Sequence, residues 1–215
     1  EAAVSAIEER AAIILSDGKL PFLIGGEHLV TLGAVRAAVR KYPDLHILHF
    51  DAHADLRDDY LGQKLSHACV LRRCHELTGD NRIFQFGIRS GDRSEFEWGR
   101  GHVSTHLFDL DGLEEVLEKL RGKPVYLTCD LDVLDPSVFP GTGTPEPGGV
   151  SFDALRRALT LACTSLNVVA ADVNELSPHY DMSGASTAVA CKIVREMLIS
   201  FARFSAKEMP AKRLT

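Results

Sequence analysis

Short apolar runs stopped by glycine, proline or acid alternate along the chain with longer stretches whose apolar residues recur every three to four positions. Pro21-Phe22-Leu23-Ile24, halted by Gly25-Gly26, reads as a buried strand, and 45–50, 82–86, 125–129 and 166–173 read the same way. A further strand is expected over 107–110. Helical spacing covers 2–15, 29–41, 66–77, a short piece near 94–98, 151–163 and a long terminal helix over 183–204. Asp111 with Glu114 has the form of a capping box opening a helix to Leu120, and Ser151 is placed to cap the helix that follows it. Polar 57–64 and turn-rich 87–93 read as connections. The stretch 135–149 carries four prolines and four glycines and reads as an irregular loop, of a length that usually serves function.

Strands alternating with helices imply an α/β protein, three-layered α/β/α, with a mainly parallel sheet covered on both faces. The 215 residues fit one sizeable domain, and 45% apolar content is enough to bury a core. A net charge of −6 without any Lys/Arg run argues against a nucleic-acid binder and mildly favours a small cationic ligand. The five cysteines lack C-x-x-C spacing and read as reduced, mostly buried thiols, which suggests a cytoplasmic protein. No signal-peptide or membrane-span pattern is present. The chain opens on Glu1 inside a helical stretch, so an N-terminal part is expected to be missing.

Ligands of such sheets sit beyond the carboxyl ends of the strands, and donors collect at those positions. His28 follows the first strand, Asp51-Ala52-His53-Ala54-Asp55 ends the second, Asp130 and Asp132 end the strand at 125–129, and Glu175 follows 166–173. In an extended backbone residues i, i+2 and i+4 leave one face together, so Asp51, His53 and Asp55 are expected to converge. Mixed oxygen and nitrogen donors suit manganese or other first-row divalent metals. Asp51, Asp55, Asp130 and Asp132 bring four negative charges, severely penalised if clustered unpaired. One divalent cation leaves a net −2, whereas two leave the set neutral, at the roughly 3.5–4 Å spacing of two-metal hydrolytic sites. The other D-x-D, Asp109-Leu110-Asp111, is given a structural role because Asp111 is read as a cap.

At these residues the chain resembles the ureohydrolase (arginase/agmatinase) family, most of all its agmatinase branch. The resemblance rests on Gly25-Gly26-Glu27-His28, the 51–55 motif, Ser66-His67, Thr128 to Asp132, Leu134-Asp135-Pro136, the 141–149 loop and Asp172 to Pro178. It implies an arginase-like fold and two Mn2+ per chain. His28 and Asp55 would hold one ion, His53 and Asp132 the other, with Asp51 and Asp130 bridging. It gives His67 a proton-shuttle role at the site mouth and Glu175 the substrate guanidinium, with Asp55 as a second proton carrier. The implied reaction cleaves a guanidino group to urea and an amine, in homo-trimers or homo-hexamers. The arginases' Ser-Gly-Asn before the histidine is replaced here by Gln63-Lys64-Leu65-Ser66, which favours a substrate without an α-amino-acid end, such as agmatine. Arginase or guanidino-acid hydrolase activity, a truncated and inactive metal-binding scaffold, and a mononuclear zinc deacetylase-like hydrolase are the alternatives.

Several residues are assigned plainer roles. His49, which shares parity with Asp51 but lies inside the strand, is read as a hydrogen-bonded histidine of the core or of the layer behind the site. His46 is read as a core histidine, and His75, His102 and His106 as surface or helix-end residues. His179, Asp58, Asp59 and Glu146 are candidates to face the cleft. Glu27 is read as an acid at a helix N-terminus, Trp98 as packing, and Cys69 and Cys129 as unactivated thiols.

Overall fold

A computed structural model describes residues 1–208. The elements alternate as the periodicity requires: α1 (Ala2–Ser16), β1 (Phe22–Ile24), α2 (Val30–Lys41), β2 (His46–Phe50), α3 (Val70–Thr78), β3 (Ile83–Ile88), α4 (Arg93–Gly99), β4 (Ser104–Leu107), α5 (Leu113–Leu120), β5 (Pro124–Asp130), α6 (Phe152–Ser165), β6 (Asn167–Asn174) and α7 (Ala185–Glu208). Six strands form one sheet in the order β1-β6-β5-β2-β3-β4, and every pairing is parallel. Side chains alternate across the pleat, so each central strand feeds two cores. Leu48, Phe50, Leu127 and Cys129 pack beneath α5, α6 and α7, while Leu45, Ile47 and Tyr126 pack beneath α1, α2 and α3. The result is the expected three-layer α/β/α arrangement.

From β2 the chain winds outward through β3 and β4, then returns to the other side of β2 as β5 and β6. The winding therefore reverses between β2 and β5, where an open α/β sheet leaves a crevice at its carboxyl edge. Phe50 pairs in register with Cys129, so the acidic segments after both strands emerge side by side.

Three local expectations need correction. The edge strand β4 occupies Ser104–Leu107 and not 107–110, because its Ser-Thr-His sequence is half-buried and lacks the apolar run that marks a buried strand. The expected capping box at Asp111 is absent: α5 starts at Leu113 behind Gly112, whose φ of 83° suits glycine, and Asp109 accepts the Asp111 N–H at 3.0 Å. The reciprocal box lies instead at α4, where Glu95 reaches back to the Asp92 N–H at 2.7 Å. Finally, 66–77 is not one helix; a 3-10 turn over His67–Cys69 precedes α3. Ser151 caps α6 as expected, accepting the Ala154 N–H at 3.2 Å.

The long loop after β5 is irregular but firmly held. Asp135 accepts from Ser137 N–H at 2.9 Å and from the Gly148 and Gly149 N–H groups at 2.9 and 3.1 Å, clasping both ends of the loop. These donors, Ser137 foremost, lower its pKa to about 2. The Arg89 guanidinium donates to the carbonyls of Gly87, Asp132, Val133 and Glu146 at 2.7–3.2 Å. No helix among the described residues is long and apolar enough to cross a membrane. All five thiols are free, and only Cys191 is exposed.

Gly149 sits where this loop returns to β5. A Cβ there would lie 2.5 Å from the Asp135 nitrogen and 2.6 Å from the Leu134 carbonyl carbon, both backbone atoms that cannot rotate away. Gly149→Ala is expected to cost about 2 kcal/mol, lowering the melting temperature by roughly 4–8 °C. An unchanged thermal midpoint would show that the loop is not held as described.

Candidate metal centre

β2 ends at Phe50, so the 51–55 motif is not a continuation of the strand. Its acids converge by a different route from simple alternation. His53 makes an isolated bridge to Ser90, and Asp55 takes a left-handed backbone, φ 54°, sparsely populated by non-glycine residues. Glu95, buried in α4, holds this departure by accepting the Leu56 N–H at 2.9 Å, with the Arg57 Nε 3.3 Å from its other oxygen. Asp130 closes β5, and Asp132 lies in the short 3-10 turn Leu131–Val133 that follows. Glu175, one residue past β6, is also left-handed at φ 65°. Positions held in such conformations concentrate at functional sites.

These turns bring the expected residues into two adjoining clusters. His28 Nδ1 lies 3.1 Å from Asp51 Oδ2, 3.1 Å from Asp55 Oδ2 and 3.4 Å from Asp130 Oδ2. His53 Nδ1 lies 3.0 Å from Asp132 Oδ2 and 3.5 Å from Asp51 Oδ1. Asp51 thus turns one oxygen toward each imidazole. On Asp132 and Asp130 the other oxygen is taken by a backbone donor, the Ala52 N–H on Asp132 Oδ1 at 3.1 Å and the Asp132 N–H on Asp130 Oδ1 at 2.9 Å, while Asp51 Oδ1 also accepts the His53 N–H at 2.6 Å.

Electrostatics shows what the clusters lack. His28, Asp51, Asp55, Asp130 and Asp132 are all buried. Burial raises Asp130 well above the ordinary carboxylate range, helped by repulsion from Asp132 and Asp51. Burial, with repulsion from Asp51, also raises Asp55 to about 7 and lifts Asp132. Burial opposes charge on His53, but Asp132 and Asp51 outweigh it and push its pKa up to about 12. His28 is likewise raised, against its burial, by Asp130, Asp51 and Asp55. Asp51 alone is driven well below its usual value, because His49, His28 and His53 overcome its desolvation. Without added positive charge the cluster therefore favours holding protons. His28 Nδ1 and Asp132 Oδ2 are moreover buried without a well-directed hydrogen bond, an arrangement native interiors rarely leave unexplained. The donor set fits divalent cations, two half-sites sharing Asp51.

A row of polar side chains, buried except for the half-buried Thr105, supports the clusters from below. Thr105, Gln85, His49, Thr128 and Asp172 stand at one register across β4, β3, β2, β5 and β6. Thr105 donates to Gln85 Oε1 at 3.0 Å, which fixes the amide, and Gln85 donates to Ala54 O at 2.7 Å and to His49 Nδ1 at 3.1 Å. His49 is left to donate from Nε2 to Asp51 Oδ2 at 2.8 Å. Thr128 meets His28 Nε2 at 2.9 Å, and so turns Nδ1 into the site. Asp172 accepts from Thr31 and Asn174 at 2.7 and 2.8 Å and from the Tyr126 hydroxyl. Such partners orient ligating side chains and raise their basicity. The sequence reading of His49 as a hydrogen-bonded histidine in the core or just behind the site agrees with its bond to Asp51, whereas Gln85, Thr105, Arg89 and Glu95 were given no part.

Above the clusters opens a cleft of about 370 Å³, lined by His28, His53, Asp55, His67, Glu146 and Glu175. Glu175 accepts the His28 N–H at 2.7 Å, and burial raises its pKa to about 6. His67 stands at the rim, 44% exposed, 4.0 Å from Glu27. Glu146 reaches the cleft, 2.9 Å from the Ser90 hydroxyl. Three other candidates do not line it: Asp58 pairs with Arg73 at 2.6 Å, Asp59 accepts the Gly62 N–H, and His179 lies beside Ser177 and Tyr180. Glu27 accepts the Leu29 N–H at the start of α2. Burial raises Cys69 to about 11 and Cys129 well above a normal thiol, so neither is an activated nucleophile.

The doubly wound sheet and the paired His/Asp half-sites at its switch point define a ureohydrolase-type enzyme. The sequence profile of the Arginase family matches residues 1–200, and the chain belongs to that family. The agmatinase of Bacillus subtilis (strain 168) is 48% identical over 201 residues, which cover 92% of this chain and 69% of that protein. The guanidinobutyrase of Pseudomonas aeruginosa is 35% identical over 208 residues, 91% of this chain and 65% of that one. Among solved structures, the agmatine ureohydrolase of Thermoplasma volcanium superposes with a TM-score of 0.87 at 36% identity, covering 97% of this chain and 71% of that one.

Imidazoles that coordinate a cation must first lose their protons. Adding a divalent cation such as Mn2+ to the metal-free chain at pH 7 is therefore expected to release about two protons, from His28 and His53, with a contribution from Asp55. Calorimetry in buffers of different ionisation enthalpy measures this. Binding without proton release would mean that the ions sit elsewhere.

Proposed function

We propose that the chain hydrolyses agmatine to putrescine and urea with two manganese ions, which His28, Asp55, His53, Asp132, Asp51 and Asp130 would hold. The observation that carries this reading is the division of Asp51 between the two imidazoles, Oδ2 toward His28 and Oδ1 toward His53. When bound, the two cations supply an acidified water near neutral pH and a positive field for developing charge.

The chain's own residues account for the remaining requirements. Glu175 is anchored through one oxygen by the His28 N–H and is costly to keep charged alone. A substrate guanidinium supplies the missing counter-charge and makes charge-assisted hydrogen bonds in a fixed plane, which presents its carbon toward the clusters. Cleaving the carbon–nitrogen bond frees an amine that must take up a proton as it leaves. Asp55 lies on the cleft wall and His67 at the solvent rim, so Asp55 is placed to deliver that proton and His67 to exchange it with water.

The substrate assignment is supported by Gln63-Lys64-Leu65-Ser66, which lacks the arginase Ser-Gly-Asn, and by relatives called agmatinase at 44–48% identity against 35% for the guanidinobutyrase.

Urea release from agmatine, arginine and 4-guanidinobutyrate, measured side by side with added Mn2+, tests the proposal. Agmatine is expected to give the highest kcat/KM. Glu175→Gln should lower that value by roughly two orders of magnitude, the cost of breaking a desolvated charge pair. Faster turnover of arginine would refute the substrate. Bound manganese with no urea from any of the three would make the chain a metal-binding scaffold.

A further inference from the structure

Away from the cleft, a second set of metal-ligating side chains is assembled from three separate segments. His75 lies in the last turn of α3, Asp80 in the turn before β3, and His102 between α4 and β4. His75 Nε2 is 2.8 Å and His102 Nδ1 2.6 Å from the same atom, Asp80 Oδ1, so the three ligand atoms lie within 4.8 Å of one another. The backbone beneath them is fixed: Asn81, left-handed at φ 61°, donates its N–H to the His102 carbonyl at 2.9 Å.

Both rings are braced by Trp98. It stacks on His102 at 4.4 Å with 12° between the planes, and meets His75 edge-on at 4.8 Å. The Arg72 guanidinium lies 3.7 Å over the indole. The imidazoles are thus held in place by an aromatic wall while their nitrogens turn to one carboxylate. His75 is mostly covered, whereas Asp80 and His102 reach solvent, which gives an ion a way in and leaves coordination positions for water.

We propose that His75, Asp80 and His102 form a peripheral site for one late first-row divalent cation, Ni2+ or Zn2+. Two imidazole nitrogens and one carboxylate oxygen suit these ions better than manganese, which prefers oxygen donors. Metal–ligand bonds of about 2.0–2.1 Å separate adjacent donors by about 3.3 Å in a tetrahedral site. The present spacings of 2.6 and 2.8 Å are about half an ångström short of that. In the ion-free chain the shared oxygen accepts two N–H groups, and the ion takes the place of those two protons. This site does not depend on the agmatine reading.

Trp98 is the chain's one tryptophan and touches both ligating rings, so its fluorescence reports on this site. The manganese-loaded chain is titrated with NiCl2 and the emission followed. Open-shell Ni2+ is expected to quench it saturably at one equivalent per chain, and ZnCl2 to reverse the quenching by competition. His53→Ala, which disables the catalytic cluster, should leave the midpoint unchanged. His75→Gln, His102→Gln and Asp80→Asn should each move it by more than about tenfold. An absence of saturable quenching in the parent chain, or quenching that survives all three substitutions, would overturn the site. Loss of the response in His53→Ala but not in the other three would assign the ion to the catalytic cluster instead.

Discussion

Four aspartates crowded at one sheet edge set the terms for everything around them. Asp51 and Asp132 bring ligand oxygens within 4.8 Å of each other, where two like charges at a partly buried site repel by about 3 kcal/mol. The protein does not dilute this repulsion by exposing the acids; it buries them and faces them with two imidazoles. Asp51 occupies the middle, with Oδ2 facing His28 and His49 and Oδ1 facing His53. Its depressed pKa beside the raised values of Asp55, Asp130 and Asp132 shows one acid kept charged while its neighbours are pushed toward protonation. Divalent cations would relieve that conflict without moving a strand.

The rest of the fold makes the crowding tolerable by fixing geometry. The switch between β2 and β5 places the two acidic turns side by side, and the register row from Thr105 to Asp172 gives the ligands hydrogen-bonded footing. Arg89 ties the Asp132 turn to the Glu146 loop through backbone carbonyls, and Asp135 closes that loop on itself. Glu95 does the same for the departure of the chain after Asp55. Each device uses a buried or half-buried charge to hold backbone, which a flexible loop could not do.

The clustering of His28, Asp51, His53, Asp55, Asp130 and Asp132 was legible in the sequence because each lies just beyond an apolar strand, and a parallel sheet sends all such ends to one edge. The reason first assigned to their convergence was incomplete: strand alternation stops at Phe50, and left-handed Asp55 completes the turn. The supporting row was illegible for a different reason. Thr105, Gln85 and Thr128 become neighbours only through strand order, and nothing local marks one buried threonine from another. The misplaced β4 and the α5 cap have a common cause, since an edge strand and a glycine-started helix both lack the periodic or capping signal that sequence reading relies on. His75 and His102 were passed over because their common partner, Asp80, is joined to them by tertiary packing around Trp98.

Elemental analysis of the manganese-saturated chain, read together with its electron paramagnetic resonance spectrum, bears most directly on the shared role of Asp51. Two ions per chain with an exchange-coupled signal, both lost together in Asp51→Asn, are the expected result. A single uncoupled ion, or two that survive the loss of Asp51, would contradict it.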